Sequence, residues 1–303
     1  MAAWLDAFLP TFALIALGAY LRARVMTDGA VWNGLETLTF WVLLPALLTF
    51  SIASTPLGSI PTGKLLGSTW ITLLIATGLS LLIARVTGAD RAAMTSIVQG
   101  GIRYNTFTAL GIASGLFGQA GLSLGGVVAG LIVTCVQTIL AVVFVVSDGG
   151  RPSPVRMAVQ TITNPLLLGC LLGFAVAALG GLPPGIAPTF RSLGAASLAL
   201  GLLCVGAGLS LESLREKPGL QLLVAALKLG IVPLLTLVLG RLFGLEGMPL
   251  AVVVLIMGMP TATTAYVMAR VMGGDARLMA AIITLQHVAA LVSVPLWAAC
   301  LAR

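Results

Sequence analysis

Acidic side chains are scarce in this chain of 303 residues: nine Asp and Glu stand against sixteen Lys and Arg, and charged residues make up only 8%. A soluble domain carries roughly 25% charged residues, so this composition cannot cover a water-facing surface. One histidine and four cysteines without a CxxC pair leave no zinc or disulfide framework, so no metal site is expected. No GxxxxGK[ST] loop is present, which removes ATP as the energy source. Basic runs and RNA-binding motifs are also missing, so the net charge of +7 implies no nucleic-acid partner. Cationic loops on one face of a membrane explain that charge instead. An intramembrane enzyme would need a nucleophile–base pair or two facing aspartates. The one His and the isolated GGD at 273–275 do not provide them, so no enzymatic activity is expected.

What is abundant is apolar sequence, at 59% of residues and a mean hydropathy of +1.11. Runs of about 20 apolar residues recur along the whole length, as membrane-spanning helices require, and alternating β-barrel segments do not appear. Ten spans are predicted, with cores near 4–22, 31–53, 64–86, 92–117, 122–147, 159–180, 187–210, 220–242, 247–271 and 277–301. The start, MAAWLDAFLP, lacks a basic leader and reads as the entry to the first span. The longest linker, SDGGRPSPVRMAVQ, separates two five-span halves, 1–150 and 151–303. The four cysteines (Cys135, Cys170, Cys204, Cys300) sit in apolar runs and are expected to be buried as small hydrophobes.

Positive charge is unequal across the membrane. Arg22, Arg24, Arg85, Arg91, Arg151, Arg156, Arg215, Lys217, Arg270 and Arg277 fall on one side, and Lys64, Arg191, Arg241 and Arg303 on the other. The richer side is cytoplasmic by the positive-inside rule, which places both termini outside, periplasmic for a bacterial inner-membrane protein. An odd number of spans per half makes the second half insert upside down relative to the first, the inverted-repeat condition.

Two spans carry polar interruptions at corresponding points. GGIRYNTFTALGIASGLFG (100–118) holds Arg103, Asn105, Thr106 and Thr108, and LIMGMPTATTAYVMARVMGGD (255–275) holds Pro260, Thr261, Thr263 and Thr264. Interrupted helices in both halves point to a transporter's substrate site. Pro260 removes a backbone donor and breaks its helix, whereas Gly100, Gly101 and Asn105 only permit the first break. A break creates a half-helix N-terminus near the midplane, which favours an anion. Hydroxyls from the threonines and the Asn105 amide add hydrogen-bonding groups. Phe107 and Tyr266, offset by 159, and FGQAGL and MGGDARL after each broken span, echo one another.

Arg103 is the sharpest single candidate, because an arginine at a helix centre needs a cavity, an anion or backbone carbonyls. Its fork suits a carboxylate. Lys228, in span eight, is either a counter-ion or coupling residue or, with its long stem, a lysine that snorkels to the membrane surface. Glu36 reads as an interfacial acid and Asp6 as solvated. His287 is either a packed core histidine or a proton carrier, and Gln137 roughly mirrors it in span five. The pairs Gly111/Gly115, Gly126/Gly130 and Gly169/Gly173 are expected to mark close helix packing.

The segments 100–118, ITNPLLLGCLLG (162–173) and GMPTATTAYVMARVMGGD (258–275) together resemble signature segments of the auxin efflux carrier family of transporters. The resemblance implies an all-α integral membrane protein of two inverted five-helix repeats, related in fold to bile-acid/sodium symporters. It implies a scaffold of spans one, two, six and seven and a transport unit of spans three to five and eight to ten. Broken spans four and nine would cross beside the substrate. Bacterial relatives are regarded as exporters or permeases of small organic anions such as malonate or malate, working by alternating access. The resemblance carries Asn105, Thr106, Pro260, Thr261 and Tyr266 into the site, and departs at Thr264, where asparagine is frequent. The expected partners are an organic anion, the lipid bilayer and, for assembly, a second copy in a homodimer. No cofactor is expected beyond a coupling proton or sodium ion. The readings kept beside this one are a sodium-coupled carrier like the bile-acid symporters, and a channel or ligand sensor.

Overall fold

A computed structural model describes residues 2–54, 60–147 and 163–302, with side chains from Asp6 onward. The linker 147–160 lies beyond the described residues after its first position, as do Arg151, Arg156 and Arg303. Every regular element among the described residues is helical. They are α1 Ala2–Arg24, α2 Gly29–Ala53, α3 Thr62–Val86, α4 Arg91–Ile102, α5 Thr106–Ser147, α6 Pro165–Ala178, α7 Ala187–Ala207, α8 Pro218–Leu242, α9 Gly247–Met257, α10 Thr264–Val271 and α11 Ala276–Leu301, with a short 3-10 turn at Leu211–Arg215 before α8.

Seven helical segments are long and apolar enough to cross a bilayer, and two shorter apolar helices, α6 and α9, accompany them. The longest segment, Arg91–Ser147, has 57 residues. At 1.5 Å per residue it would reach about 86 Å, far beyond a hydrocarbon core of about 30 Å. The chain divides it at 103–105, which is not helical, and at Gly118, where φ is 60° and ψ is −147°. Such a conformation suits glycine, which has no Cβ to clash. The segment therefore holds two crossings, and with α6 and with α9 plus α10 the ten predicted spans are present.

The two halves repeat at an offset near 155. Thr62–Val86 corresponds to Pro218–Leu242, and the ends of α4 at Ile102 and α9 at Met257 lie 155 apart. Gly118 and Gly273, also 155 apart, both take positive φ after their broken span. Between these points the second halves of the broken spans begin at Thr106 and Thr264, because the second break is three residues longer. That extra length accounts for three of the four residues by which the aromatic echo at Phe107 and Tyr266, offset by 159, exceeds 155; the fourth arises because Phe107 is the second residue of its helix and Tyr266 the third. Asp28, Asp90, Asn164 and Asp275 cap helix starts, each side chain accepting a backbone N–H.

By contact the chain forms two compact units. One comprises the described residues of 1–62, 106–133 and 159–208; the other those of 63–105, 134–158 and 209–303. In the first unit, small residues let backbones touch. A Cβ at Gly206 would meet the Ile15 carbonyl, and one at Gly18 the Leu203 carbonyl, so α1 and α7 pack backbone to backbone. Gly169 lies against Pro45 and Gly173 against Ile52 and Thr49, whose hydroxyl donates to Gly169 O at 3.0 Å. Gly111, Gly115, Gly126 and Gly130 lie similarly against Thr11, Ala7, Leu48 and Cys170. The glycine pairs do mark close packing, the expected route to association where lipid removes the hydrophobic drive.

The second unit holds both breaks. Its core joins Ile97 of α4, Val224 of α8, Ala265 and Ala269 of α10, and Leu278, Met279 and Ile282 of α11. Pro233 in α8 has no N–H to offer Leu229 O. The helix responds with a π turn over Leu227–Ile231, and Trp297 Nε1 of α11 donates to Leu229 O at 2.8 Å. Two expectations are corrected here. Lys228, on that π turn, is fully buried and does not snorkel. Cys300 is exposed, unlike the three buried cysteines, because the last turn of α11 presents it outward.

Candidate functional site

The two breaks meet inside the second unit. α4 ends at Ile102, and Arg103 to Asn105 run extended or irregular before Thr106, half-buried, opens α5. α9 ends at Met257, and 258–263 stay non-helical through Pro260 before α10 starts at Thr264. Broken helices leave carbonyls at their C-terminal ends and amides at their N-terminal ends without intrahelical partners. In a membrane each must find one locally.

The carbonyls are met by side chains from neighbouring elements. Gly100 O accepts from Thr261 Oγ1 at 2.9 Å and from Gln286 Nε2 at 3.0 Å. Gln286 Oε1 in turn accepts the Thr261 N–H at 2.8 Å, so one amide of α11 ties both breaks. Asn105 N–H donates to Pro260 O at 2.7 Å, a direct backbone bond between the two interruptions. Lys228 Nζ donates to Met257 O, the last carbonyl of α9, at 2.7 Å. Thr261, Gln286 and Lys228 are all fully buried, and Asn105 nearly so.

Around this knot sit the groups with recognition chemistry. Arg103 is half-buried; its Nη2 donates to Thr264 Oγ1 at 2.8 Å, and its Nη1 reaches Met268 Sδ at 3.2 Å. Neither partner is an anion. Asn105 Nδ2 lies 3.4 Å from His287 Nε2, and His287 Nδ1 is 2.8 Å from Ile283 O. Because Ile283 O can only accept, Nδ1 carries a proton, and the two contacts orient the ring. Thr264 begins α10, whose N-terminus has no side-chain cap from Thr263. A guanidinium, a hydroxyl and the positive end of a helix thus converge on one corner, an arrangement suited to a carboxylate.

Of the residues chosen from sequence, the structure ties Arg103, Asn105, Pro260, Thr261, Thr264 and His287 into this network within the second unit. Thr263 is half-buried and contributes its carbonyl to the Tyr266 N–H. The Tyr266 side chain is exposed and Gln137 is half-buried, and neither belongs to the hydrogen-bonded knot. Sequence reasoning missed Gln286, which was legible as a polar side chain beside His287 in an apolar span, and it weighed Lys228 without placing it in the site, although an intramembrane cation lies there five residues before a helix-breaking Pro233.

At one end of this unit, Asp275 fastens the exit of the second broken span. It caps α11 through Leu278 N–H at 3.0 Å, takes an ion pair from Lys217 at 2.9 Å, and donates its own N–H to Ala92 O at 3.0 Å. Burial pushes the Asp275 carboxyl up, but the Leu278 amide and Lys217 outweigh it and hold the group below its ordinary range. The same hydrogen bond raises Lys217.

Comparison with known proteins agrees with this architecture. Residues 151–298 match a family described as membrane transport protein. The whole chain is also similar to an uncharacterized transporter of Methanothermobacter thermautotrophicus, 27% identical over 295 residues that cover 96% of each chain.

Proposed function

We infer that this membrane transporter, whose residues 151–298 match the membrane transport protein family, carries small organic anions such as mono- or dicarboxylates as a secondary or facilitative carrier. One observation carries the reading: the intramembrane cation Arg103 is held by a hydroxyl and a thioether, not by a carboxylate. No Asp or Glu lies in α3, α4, α8, α9, α10 or α11, so these helices offer no anion to the intramembrane cations Arg103 and Lys228. A buried charge needs a partner, and a transported carboxylate provides one.

The carboxylate lies against Arg103 and Thr264 at the start of α10, with the Asn105 amide beside it. The elements that hold the two breaks move with the substrate in alternating access against a scaffold that includes spans one, two, six and seven. The protein sits in a cytoplasmic membrane with its termini outside, a placement that the asymmetry of its basic loops supports.

Purified protein in liposomes preloaded with unlabelled malonate or malate should accumulate the labelled acid by counterflow. Uptake should saturate, and other short carboxylates, but not amines or sugars, should compete. Flux that rises linearly with concentration would instead identify a channel, and no flux with any organic anion would remove the reading.

A further inference from the structure

The carboxyl end of a helix broken within the membrane is where a transporter usually seats a dissolved cation, because unpaired carbonyls and the negative dipole end gather there. This protein has two such ends in one unit. At α4, Gly100 O is shared by the neutral donors Gln286 and Thr261. At α9, Met257 O is taken by the ammonium of Lys228 at 2.7 Å. Lys228 reaches it because Pro233 forces a π turn over Leu227–Ile231, and the turn carries the side chain into the unit's interior, fully buried. One carbonyl at each end, Gly100 O and Met257 O, thus already has its donor, and only at α9 is that donor an amine nitrogen.

We propose that Lys228 is the resident cation of the crossing, a positioning residue whose ammonium takes the place at the end of α9 that a dissolved cation would otherwise fill. It neutralises that helix end and fixes where α9 stops. It thereby sets the position of Pro260, Thr261 and Thr264, which follow within seven residues of Met257. The consequence for transport rests on the anion-carrier reading: the crossing carries its positive charge built in and needs no sodium to hold its shape. The resident cation itself does not depend on that reading.

The test therefore separates the two. In detergent, the thermal midpoint of the wild-type protein should be the same in sodium, potassium and choline salts at equal ionic strength. Lys228→Ala should melt lower, and propylammonium, which replaces the missing atoms with their charge, should raise its midpoint where 1-propanol does not. Sodium stabilising the wild type, or propanol rescuing as well as propylammonium, would overturn the proposal. Should Lys228→Ala fail to accumulate, Lys228→Arg and Lys228→Met decide. Arg should keep the midpoint and the KM for the anion, and Met should raise KM about tenfold by leaving Met257 O unpartnered; a Met variant equal to wild type contradicts the assignment. If liposomes carry no organic anion at all, the transport reading falls while these melting experiments still judge Lys228.

Discussion

Replacing Thr261 by valine removes one hydroxyl at nearly constant volume. Gly100 O loses the 2.9 Å bond from Thr261 but keeps the 3.0 Å bond from Gln286. No group is orphaned, so the cost should be that of one net hydrogen bond, about 0.5–1.5 kcal/mol. Gln286→Met is harsher, because the buried Thr261 N–H loses its acceptor. An unsatisfied buried donor costs about 1–3 kcal/mol. In that variant Gly100 O still has the Thr261 hydroxyl. Only the double variant strips both donors from the carbonyl, adding a further penalty of about 1–3 kcal/mol that neither single change carries. The two substitutions should therefore be coupled: the double variant should be less stable than the sum of the singles by that amount. A double-mutant cycle of reversible unfolding in mixed micelles measures it. Additivity within about 0.5 kcal/mol would refute the shared carbonyl as the tie between the breaks.

Other perturbations test neighbouring parts of the account. Gly206→Val should prevent accumulation of folded protein, since even a Cβ there meets the Ile15 carbonyl, whereas Gly34→Ala, with nothing within 4 Å, should be tolerated; monodispersity on size exclusion distinguishes them. Trp297→Phe should destabilise by about 1–3 kcal/mol by orphaning Leu229 O, and Pro233→Ala, which restores a backbone donor, should suppress much of that loss on thermal melting. Asp275, held below its ordinary range, contributes stability above the unfolded carboxylate range, and that contribution fades as pH falls through its folded value. Lys217, raised, contributes fully below the ordinary lysine range and loses its contribution as pH climbs through its folded value. The stability difference between wild type and Asp275→Asn should thus be widest at intermediate pH and shrink towards acid, read from melting midpoints across a pH series.

The span pattern was legible because lipid imposes it: about 20 apolar residues per crossing and no other way to satisfy the backbone. The second break announced itself through Pro260. The first was announced less directly, because its glycines lie inside α4 and the irregular residues are Arg103 to Asn105. Depth along a span did not reveal the fate of Lys228. Snorkelling assumes a regular helix, and the π turn that Pro233 induces redirects the side chain. Gln286 was passed over for His287 next to it, because a neutral amide in an apolar span looks like packing until its two bonds, to Gly100 O and from Thr261 N–H, are seen together. Tyr266 was carried into the site by the family resemblance, and a matching motif fixes register without fixing which face a side chain takes; the ring is exposed.

The central claim is that the Arg103 guanidinium, paired with neutral Thr264 and Met268, receives the carboxylate of the cargo. Two charge-assisted hydrogen bonds of about 1.5 kcal/mol each amount to roughly a hundredfold in apparent affinity. Liposomes bearing Arg103→Gln, which can still hydrogen-bond Thr264, should show KM for a labelled dicarboxylate raised by about that factor at an unchanged amount of inserted, folded protein. Saturation curves for wild type and variant that superimpose would contradict the account.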